Sequence, residues 1–137
     1  MPRTMAYCRC GTSHVVLVHG VEAPSDDEWR AYLQDLERWL PEVVGIVVVT
    51  DGGGPTSSQR RAGRELMARN RRNVIRVAVV TDSLLARGIV NALNLFNPGI
   101  RSFRPEAIKD AIAHMGAALD GPAIIAEVDR LRQRFRG

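Results

Sequence analysis

The sequence predicts an α/β fold with a mainly parallel sheet of four to five strands, an N-terminal hairpin and four to five helices. Residues 47–51 and 77–82 are apolar, β-branched runs, and both end in the dipeptide Thr-Asp. Each run is followed by a turn and then by a helical pattern, the order that builds a parallel α/β domain. The ligand-facing groups of such domains lie at the carboxyl ends of the strands. We therefore expect the function to be located in the segments that follow Asp51 and Asp82.

Length and composition are typical of a single-domain globular protein. The chain has 137 residues, of which 45% are hydrophobic and 25% are charged, enough for one sizeable core. The longest apolar run, residues 43–49, is too short to span a bilayer, and the N-terminus lacks a signal-peptide core. We expect one domain over residues 1–137, a cytoplasmic location and no membrane span.

A β-hairpin and a helix open the chain. Residues 4–10 and 14–19 are extended segments joined by a Gly-Thr-Ser turn. Ser25 and Glu28 have the spacing of a capping box, in which the serine caps the helix and the glutamate bonds back to the cap. The helix presents one apolar stripe and ends before Pro41. The stripe consists of Trp29, Leu33, Leu36 and Leu40.

The central strand is followed by a glycine-rich loop and a second helix. Residues 43–50 are apolar on both faces, as a central parallel strand requires. Thr56 and Gln59 have the spacing of a second capping box, and the helix that they open extends to about Asn70. This helix has a narrow apolar face and a broad basic face.

The same alternation continues in the second half of the chain. Residues 74–81 form the next strand, and Asp82 or Ser83 caps a third helix. Residues 100–103 form a short last strand, and Pro105 suits the first turn of a fourth helix. The apolar residues that align on the third helix are Leu85, Ile89, Leu93 and Phe96.

An extra helix over residues 121–137 is expected to pack on the domain or on a partner. Connections between successive parallel strands are right-handed, which places their helices on the same face of the sheet. Residues 43–49, however, are apolar on both faces. The second face therefore needs a cover, which the C-terminal helix or a second subunit would supply.

In its element order the chain resembles the STAS domain family, the anti-sigma-factor-antagonist fold, whose bacterial relatives include stand-alone proteins. The resemblance covers residues 4–115. It rests on the order β-β-α-β-α-β-α-β-α and on three segments: His19-Gly20 at the end of the hairpin, residues 48–51 before a serine-bearing helix start, and residues 102–105 before the fourth helix. It implies a (βα) superhelix and a regulatory binding role without catalysis, and we expect no cofactor.

The loop and helix start after the central strand are the first candidate site. In STAS-type antagonists the regulatory phosphoserine lies at this helix start, which by resemblance makes Ser57 or Ser58 the phosphoacceptor, since Thr56 fits the cap. The antagonists place serine next to the strand-end aspartate, whereas here Asp51 is followed by Gly-Gly-Gly-Pro. The same residues also suit a purely structural turn and cap. A protein partner, a second copy of this chain included, is expected to contact this loop and helix start together with the third helix, residues 83–96. The expected contacts in the loop and helix start are Gly53, Thr56, Ser57, Ser58, Arg60, Arg61 and Arg64.

The alternative is a sensor that binds a nucleotide or another phosphate-bearing small ligand at the strand ends. Glycines allow backbone N–H groups to approach an anion, and a helix N-terminus carries partial positive charge. Two strand-end carboxylates also suit Mg²⁺ or a receiver-type phosphorylation, although Lys109 is misplaced for a receiver and no Walker motif is present. This alternative site consists of Asp51, Gly52, Gly53, Gly54, Thr56, Asp82 and Ser83.

The charges are unevenly distributed along the chain. Residues 60–76 hold seven arginines and one acid, whereas residues 22–42 hold seven acids. No aromatic residue lies within the basic segment to stack on bases, so we do not expect nucleic acid as a partner. Pairing of the arginines with the acidic first helix of a partner or of another copy fits the pattern.

Catalytic and metal-binding patterns are absent from the sequence. Cys8 and Cys10 are spaced for neither a disulfide nor the usual zinc pair. His14, His19 and His114 accompany no nucleophile or metal motif, and each suits a structural role. We expect a protein that is not an enzyme and that binds no metal.

Overall fold

A computed structural model describes residues 4–70, 75–95, 99–117 and 120–136 of the chain. Of the positions singled out in the sequence, Arg71 and Arg72 of the basic segment, Val74 and Phe96 lie outside these residues. The elements follow the predicted order, with boundaries that differ by a few residues. They are β1 (Met5–Cys10), β2 (His14–His19), α1 (Asp26–Trp39), β3 (Gly45–Thr50), α2 (Ser57–Arg69), β4 (Arg76–Val80), α3 (Leu84–Asn94), β5 (Ile100–Phe103), a 3₁₀ turn (Pro105–Ala107), α4 (Ile108–His114) and α5 (Gly121–Arg136).

The five strands form one sheet in the order in which they occur along the chain. β1 pairs antiparallel with β2, whereas β2, β3, β4 and β5 pair in parallel. The two runs that end in Thr-Asp lie side by side, with Ile46 opposite Val77 and Val49 opposite Val80. The predicted α/β class and mainly parallel sheet are therefore confirmed, and both strand-end loops lie at the same edge of the sheet.

One face of the sheet, here named the front face, packs on α1 and α2. Its strand residues Val15, Leu17 and Ile46 share a buried cluster with Trp29 and Leu66. The α1 stripe also contains Tyr32, which the sequence analysis left out and which is buried, whereas Leu33 is only half-buried. The front face thus carries the larger aromatic residues of the core.

The opposite face, here named the back face, is covered by α4 and α5. Val16 and Val47 point to this side and share a second buried cluster with Ile112, Ile124 and Leu131. Because side chains alternate along a strand, β3 needs apolar neighbours on both sides of the sheet. The structure places α5 on β1 and β2.

The structure decides between two expected caps at one helix start and differs from the expectation at another. Ser83, not Asp82, caps α3, because its hydroxyl oxygen accepts a hydrogen bond from the Ala86 N–H at 3.1 Å. Pro105 opens a 3₁₀ turn, and the α-helical geometry of α4 begins only at Ile108. Within the described part of the chain, no helix combines the length and the apolar character that crossing a bilayer demands.

Candidate functional site

The loop after β3 is held closed by backbone hydrogen bonds. The Gly53 N–H donates to the carbonyl of Gly20 at 2.9 Å, and the Gly52 N–H donates to the Thr50 hydroxyl at 3.0 Å. A Cβ on Gly53 would lie 2.3 Å from the carbonyl oxygen of Glu22, so only glycine fits there. Two of the amides considered for anion binding are therefore already engaged within the protein.

Asp51 is paired across the carboxyl edge of the sheet. Its Oδ1 accepts a hydrogen bond from Nη2 of Arg132 on α5 at 2.9 Å. Asp82 is exposed after β4, and the neighbouring Ser83 is close enough that a Cβ on Gly52 would lie 3.8 Å from its hydroxyl. The loops after β3 and β4 thus lie next to each other, as parallel pairing predicts. The Asp51 carboxylate, however, already forms an ion pair with an arginine.

The start of α2 is fastened to the start of α1 through Gln59. The predicted capping box is confirmed: Thr56 Oγ1 accepts from the Gln59 N–H at 3.2 Å, and Gln59 Oε1 accepts from the Thr56 N–H at 2.9 Å. Gln59 Nε2 also donates to the Pro24 carbonyl and to Asp26 Oδ1, both at 2.9 Å. The Trp29 indole N–H donates to the Gln59 carbonyl at 2.8 Å. The sequence analysis identified the cap but missed this second role.

Three hydroxyls at this helix start are exposed. Thr56 serves as the cap, while the Ser57 hydroxyl accepts a hydrogen bond from Arg60 Nη2 at 3.2 Å. The Ser58 hydroxyl lies 3.3 Å from that of Thr56. Both candidate phosphoacceptors, Ser57 and Ser58, are therefore on the surface.

The arginines of α2 differ in their surroundings. Arg60 is half-buried, and its Nη1 donates to the Pro55 carbonyl at 2.9 Å. Arg61 and Arg64 are exposed, and among the described residues neither forms an ion pair. One exposed acid, Glu65, accompanies these arginines on α2, so this side of the helix carries a net positive charge.

A groove of about 530 Å³, here named the α2–α3 groove, lies on the front face over β3 and β4. It forms because α2 packs on α1, whereas α3 packs on β5, which leaves strand residues between them half-covered. Its floor includes Val48 and Val77, and both are only partly buried. Arg64 lies on the α2 side and Leu85 on the α3 side.

The first turn of α3 exposes two large apolar side chains. Leu84 and Leu85 are 80% and 74% exposed, and Ile89 of the next turn is also exposed. The sequence analysis aligned Leu85 and Ile89 on one helix face but gave no sign that this face borders a groove. Contiguous exposed apolar residues of this kind mark binding surfaces more often than scattered single ones do.

His19, the last residue of β2, lines the α2–α3 groove and is 1% exposed. Among the described residues, neither of its ring nitrogens has a hydrogen-bond partner. Burial lowers the pKa of His19 to about 4, against the opposing influence of the Glu28 carboxylate, so the ring is neutral at pH 7. The sequence analysis gave His19 only a structural role. Its position at the end of a strand, directly before a glycine, was the sequence signal that could have pointed to a role at the site.

The cysteines are free thiols on the back face. Cys8 donates to Glu127 Oε2 at 3.2 Å, and burial together with that carboxylate raises its pKa to about 11. Burial likewise raises the pKa of Cys10. Because the thiolate is the reactive form, these two side chains are poorly suited to act as nucleophiles at neutral pH.

The function has to be argued from geometry alone. Over residues 4–70, 75–95, 99–117 and 120–136, no three His, Cys, Asp or Glu side chains converge on a point that could hold a metal ion. A scan against protein-family models, a search of curated proteins and a search of solved structures each found no match to this chain. The features that remain are the cationic start of α2, the exposed leucines of α3 and the groove between them.

Proposed function

We propose that this protein is a non-enzymatic, regulatory binding module of STAS-like type that captures a protein partner at the carboxyl edge of its sheet. The partner, which can be a second copy of this chain, contacts the loop and start of α2 together with the first turns of α3. The element order shared with the STAS family supports this proposal. We place the protein in the cytoplasm.

One observation carries the proposal: an exposed leucine and an exposed arginine border the same groove. Leu85 and Arg64 lie on opposite sides of it, and Leu84 is next to Leu85 at 80% exposure. Apolar anchors beside a rim of charge are typical of protein-binding surfaces, where the anchors supply affinity and the charges supply steering. Leu84 and Leu85 belong to the third helix, which the sequence analysis already included in the expected contact surface.

The exposed hydroxyls offer a means of regulation at this surface. A phosphate on Ser57 or Ser58 would add about two negative charges at the N-terminus of α2. On Ser57 it would lie against Arg60, which already donates to that hydroxyl. Such a charge would neutralise part of the cationic rim and so alter the affinity for the partner.

The hydrogen bonds of the loop favour this function over a phosphate sensor. The amides of Gly52 and Gly53 donate within the protein, and the Asp51 carboxylate is paired with Arg132. A phosphate bound by these groups would have to break bonds that hold the loop closed. A protein partner contacts the exposed side chains without breaking any of these hydrogen bonds.

Capture from a cell lysate by the immobilised protein tests this proposal. Replacing Arg61 and Arg64 by Glu reverses two exposed charges on α2, and we expect the captured protein band to disappear. The matched control reverses two exposed charges on the back-face helices, Lys109→Glu with Arg134→Glu, and should leave capture unchanged. Equal capture by both double variants would refute the assigned surface.

A further inference from the structure

The α2–α3 groove has the size of a small-molecule site. Its volume of about 530 Å³ lies within the range of roughly 300–1,000 Å³ that ligand pockets occupy. Leu85 and Leu93 border it along α3, and eight residues of helix correspond to about 12 Å. The groove therefore extends over at least about 12 Å, with room for an extended ligand.

Its two ends differ in chemistry. The end at the carboxyl edge of the sheet is formed by His19, the loop Gly52 to Pro55, and Arg60. The opposite end is apolar and lies over the beginnings of the strands. The side chains there are Ile46, Met67, Val77, Leu93 and Ile100.

His19 is the buried polar side chain at the polar end of the groove. Leaving a buried polar group without a hydrogen-bond partner costs about 1–3 kcal/mol. Among the described residues, neither ring nitrogen of His19 has a hydrogen-bond partner, although the residue is only 1% exposed. His19 lies at the wall of the groove.

We propose that the α2–α3 groove binds a small amphiphile, with its apolar chain over β3 and β4 and its anionic head between His19 and the arginines Arg60 and Arg64. The chain fits the half-covered floor of Val48 and Val77. A carboxylate head accepts hydrogen bonds from the guanidinium groups. No covalent step is involved.

This inference goes beyond the proposed protein-binding function and does not depend on it. It concerns a free ligand held in the groove, and it is tested on the purified protein without any partner. Loss of protein capture from a lysate would not contradict ligand binding in the groove. Failure to bind an amphiphile would equally leave the protein-binding surface standing.

Trp29 supplies the signal for the test, because it lines the groove and stacks on His19. In a Trp39→Phe background it is the only tryptophan of the chain. Sodium decanoate, added below its micelle-forming concentration, should change Trp29 fluorescence in a saturable manner. It should also shift the ring resonances of His19 in NMR spectra. Decyltrimethylammonium has the same chain with a cationic head and should change neither signal.

Two variants test separately the binding of the ligand's apolar chain and of its anionic head, and a third variant serves as the control. Ala86→Phe fills the groove and should abolish the decanoate response, whereas Ala126→Phe, the same change at an exposed position of α5, should preserve it. Replacing Arg60 and Arg64 by Gln leaves the groove open and should weaken decanoate binding about tenfold. The Arg variant keeps the test valid if Ala86→Phe does not fold.

Three results would overturn the proposal. The first is an absence of saturable change in both Trp29 fluorescence and the His19 resonances with decanoate. The second is an equal response to decyltrimethylammonium, which would show that the groove does not require an anionic head group. The third is a Trp29 response to phosphatidylglycerol vesicles as strong as the response to decanoate, which would replace the free ligand by a lipid surface.

Discussion

Trp29 stacks on His19, with ring centroids 6.4 Å apart and ring planes inclined by 27°. The pair joins the start of α1 to the end of β2, and the Trp29 indole N–H extends the connection to Gln59 on α2. A neutral imidazole is thus held against an aromatic ring at the wall of the α2–α3 groove. The first prediction follows from the protonation of this histidine.

Acidification should destabilise the protein through His19. Its pKa is 6.5 in an ordinary setting and about 4 in the folded state. Between these values the unfolded chain takes up a proton that the folded chain does not, so stability falls as the pH decreases from 6.5 to 4. The loss amounts to about 3 kcal/mol. Urea unfolding at a series of pH values measures it.

The control for this effect is His19→Phe, which keeps a ring against Trp29 but cannot be protonated. The lowered pKa of Glu28 reduces stability at lower pH in both proteins, so the difference between their two curves isolates His19. If the variant and the natural protein lose stability in parallel between pH 6.5 and 4, the buried neutral state is wrong.

Replacement of Gln59 by Ala should weaken the attachment of α2 to α1. The change removes two side-chain hydrogen bonds to Pro24 and Asp26 and half of the capping box. Each such bond contributes about 1 kcal/mol, so we expect a loss of about 2–3 kcal/mol. Gln34→Ala at an exposed position of α1 is the matched control and should cost almost nothing. Similar melting temperatures for the two variants would contradict the described role.

The loop after β3 should tolerate a side chain at Gly54 but not at Gly53. A Cβ on Gly53 would lie 2.3 Å from the Glu22 carbonyl oxygen, whereas nothing lies within 4 Å of a Cβ on Gly54. Gly53→Ala should therefore destabilise by about 1–3 kcal/mol, as overpacked substitutions do. Gly54→Ala should be neutral or slightly stabilising. Thermal unfolding of the two variants compares them, and the reverse order would be inconsistent with the closed loop.

Removal of α5 should expose the back face of the sheet. Ile124, Val128 and Leu131 of this helix are buried in the back-face cluster, where α5 packs on β1 and β2. A chain that ends before Gly121 should aggregate or unfold. Leu131→Ala should cost about 2–5 kcal/mol, and Asp129→Ala, at an exposed position of the same helix, serves as its control. A truncated chain that stays monomeric with an unchanged melting temperature would show that α5 is dispensable.

The strands and helix starts of this fold were predictable because their signals are local. β3 and β4 are recognisable as buried runs, and the capping boxes at Ser25 and Thr56 depend on residues three positions apart. The structure has both boxes as predicted. The cap of α3 remained ambiguous between Asp82 and Ser83, because adjacent polar residues suit the same position and the backbone conformation selects between them.

The candidate site was less predictable, because it depends on packing between distant segments. Pattern analysis shows that Leu85 and Ile89 share a helix face, but it cannot show that α2 leaves this face without a neighbour. The pairing of Asp51 with Arg132 joins residues 81 positions apart, and the unpaired state of His19 is visible only once every neighbour is in place. Such relationships are tertiary and have no signature in a short sequence window.

Site-specific photocrosslinking in living cells tests the central claim, the partner surface at the carboxyl edge, most directly. A photoreactive residue at position 85 lies on the proposed surface, and one at position 109 lies on exposed α4 at the back face. The account predicts a discrete crosslinked protein from position 85 that is absent from position 109. Crosslinks from position 109 with none from position 85 would contradict it.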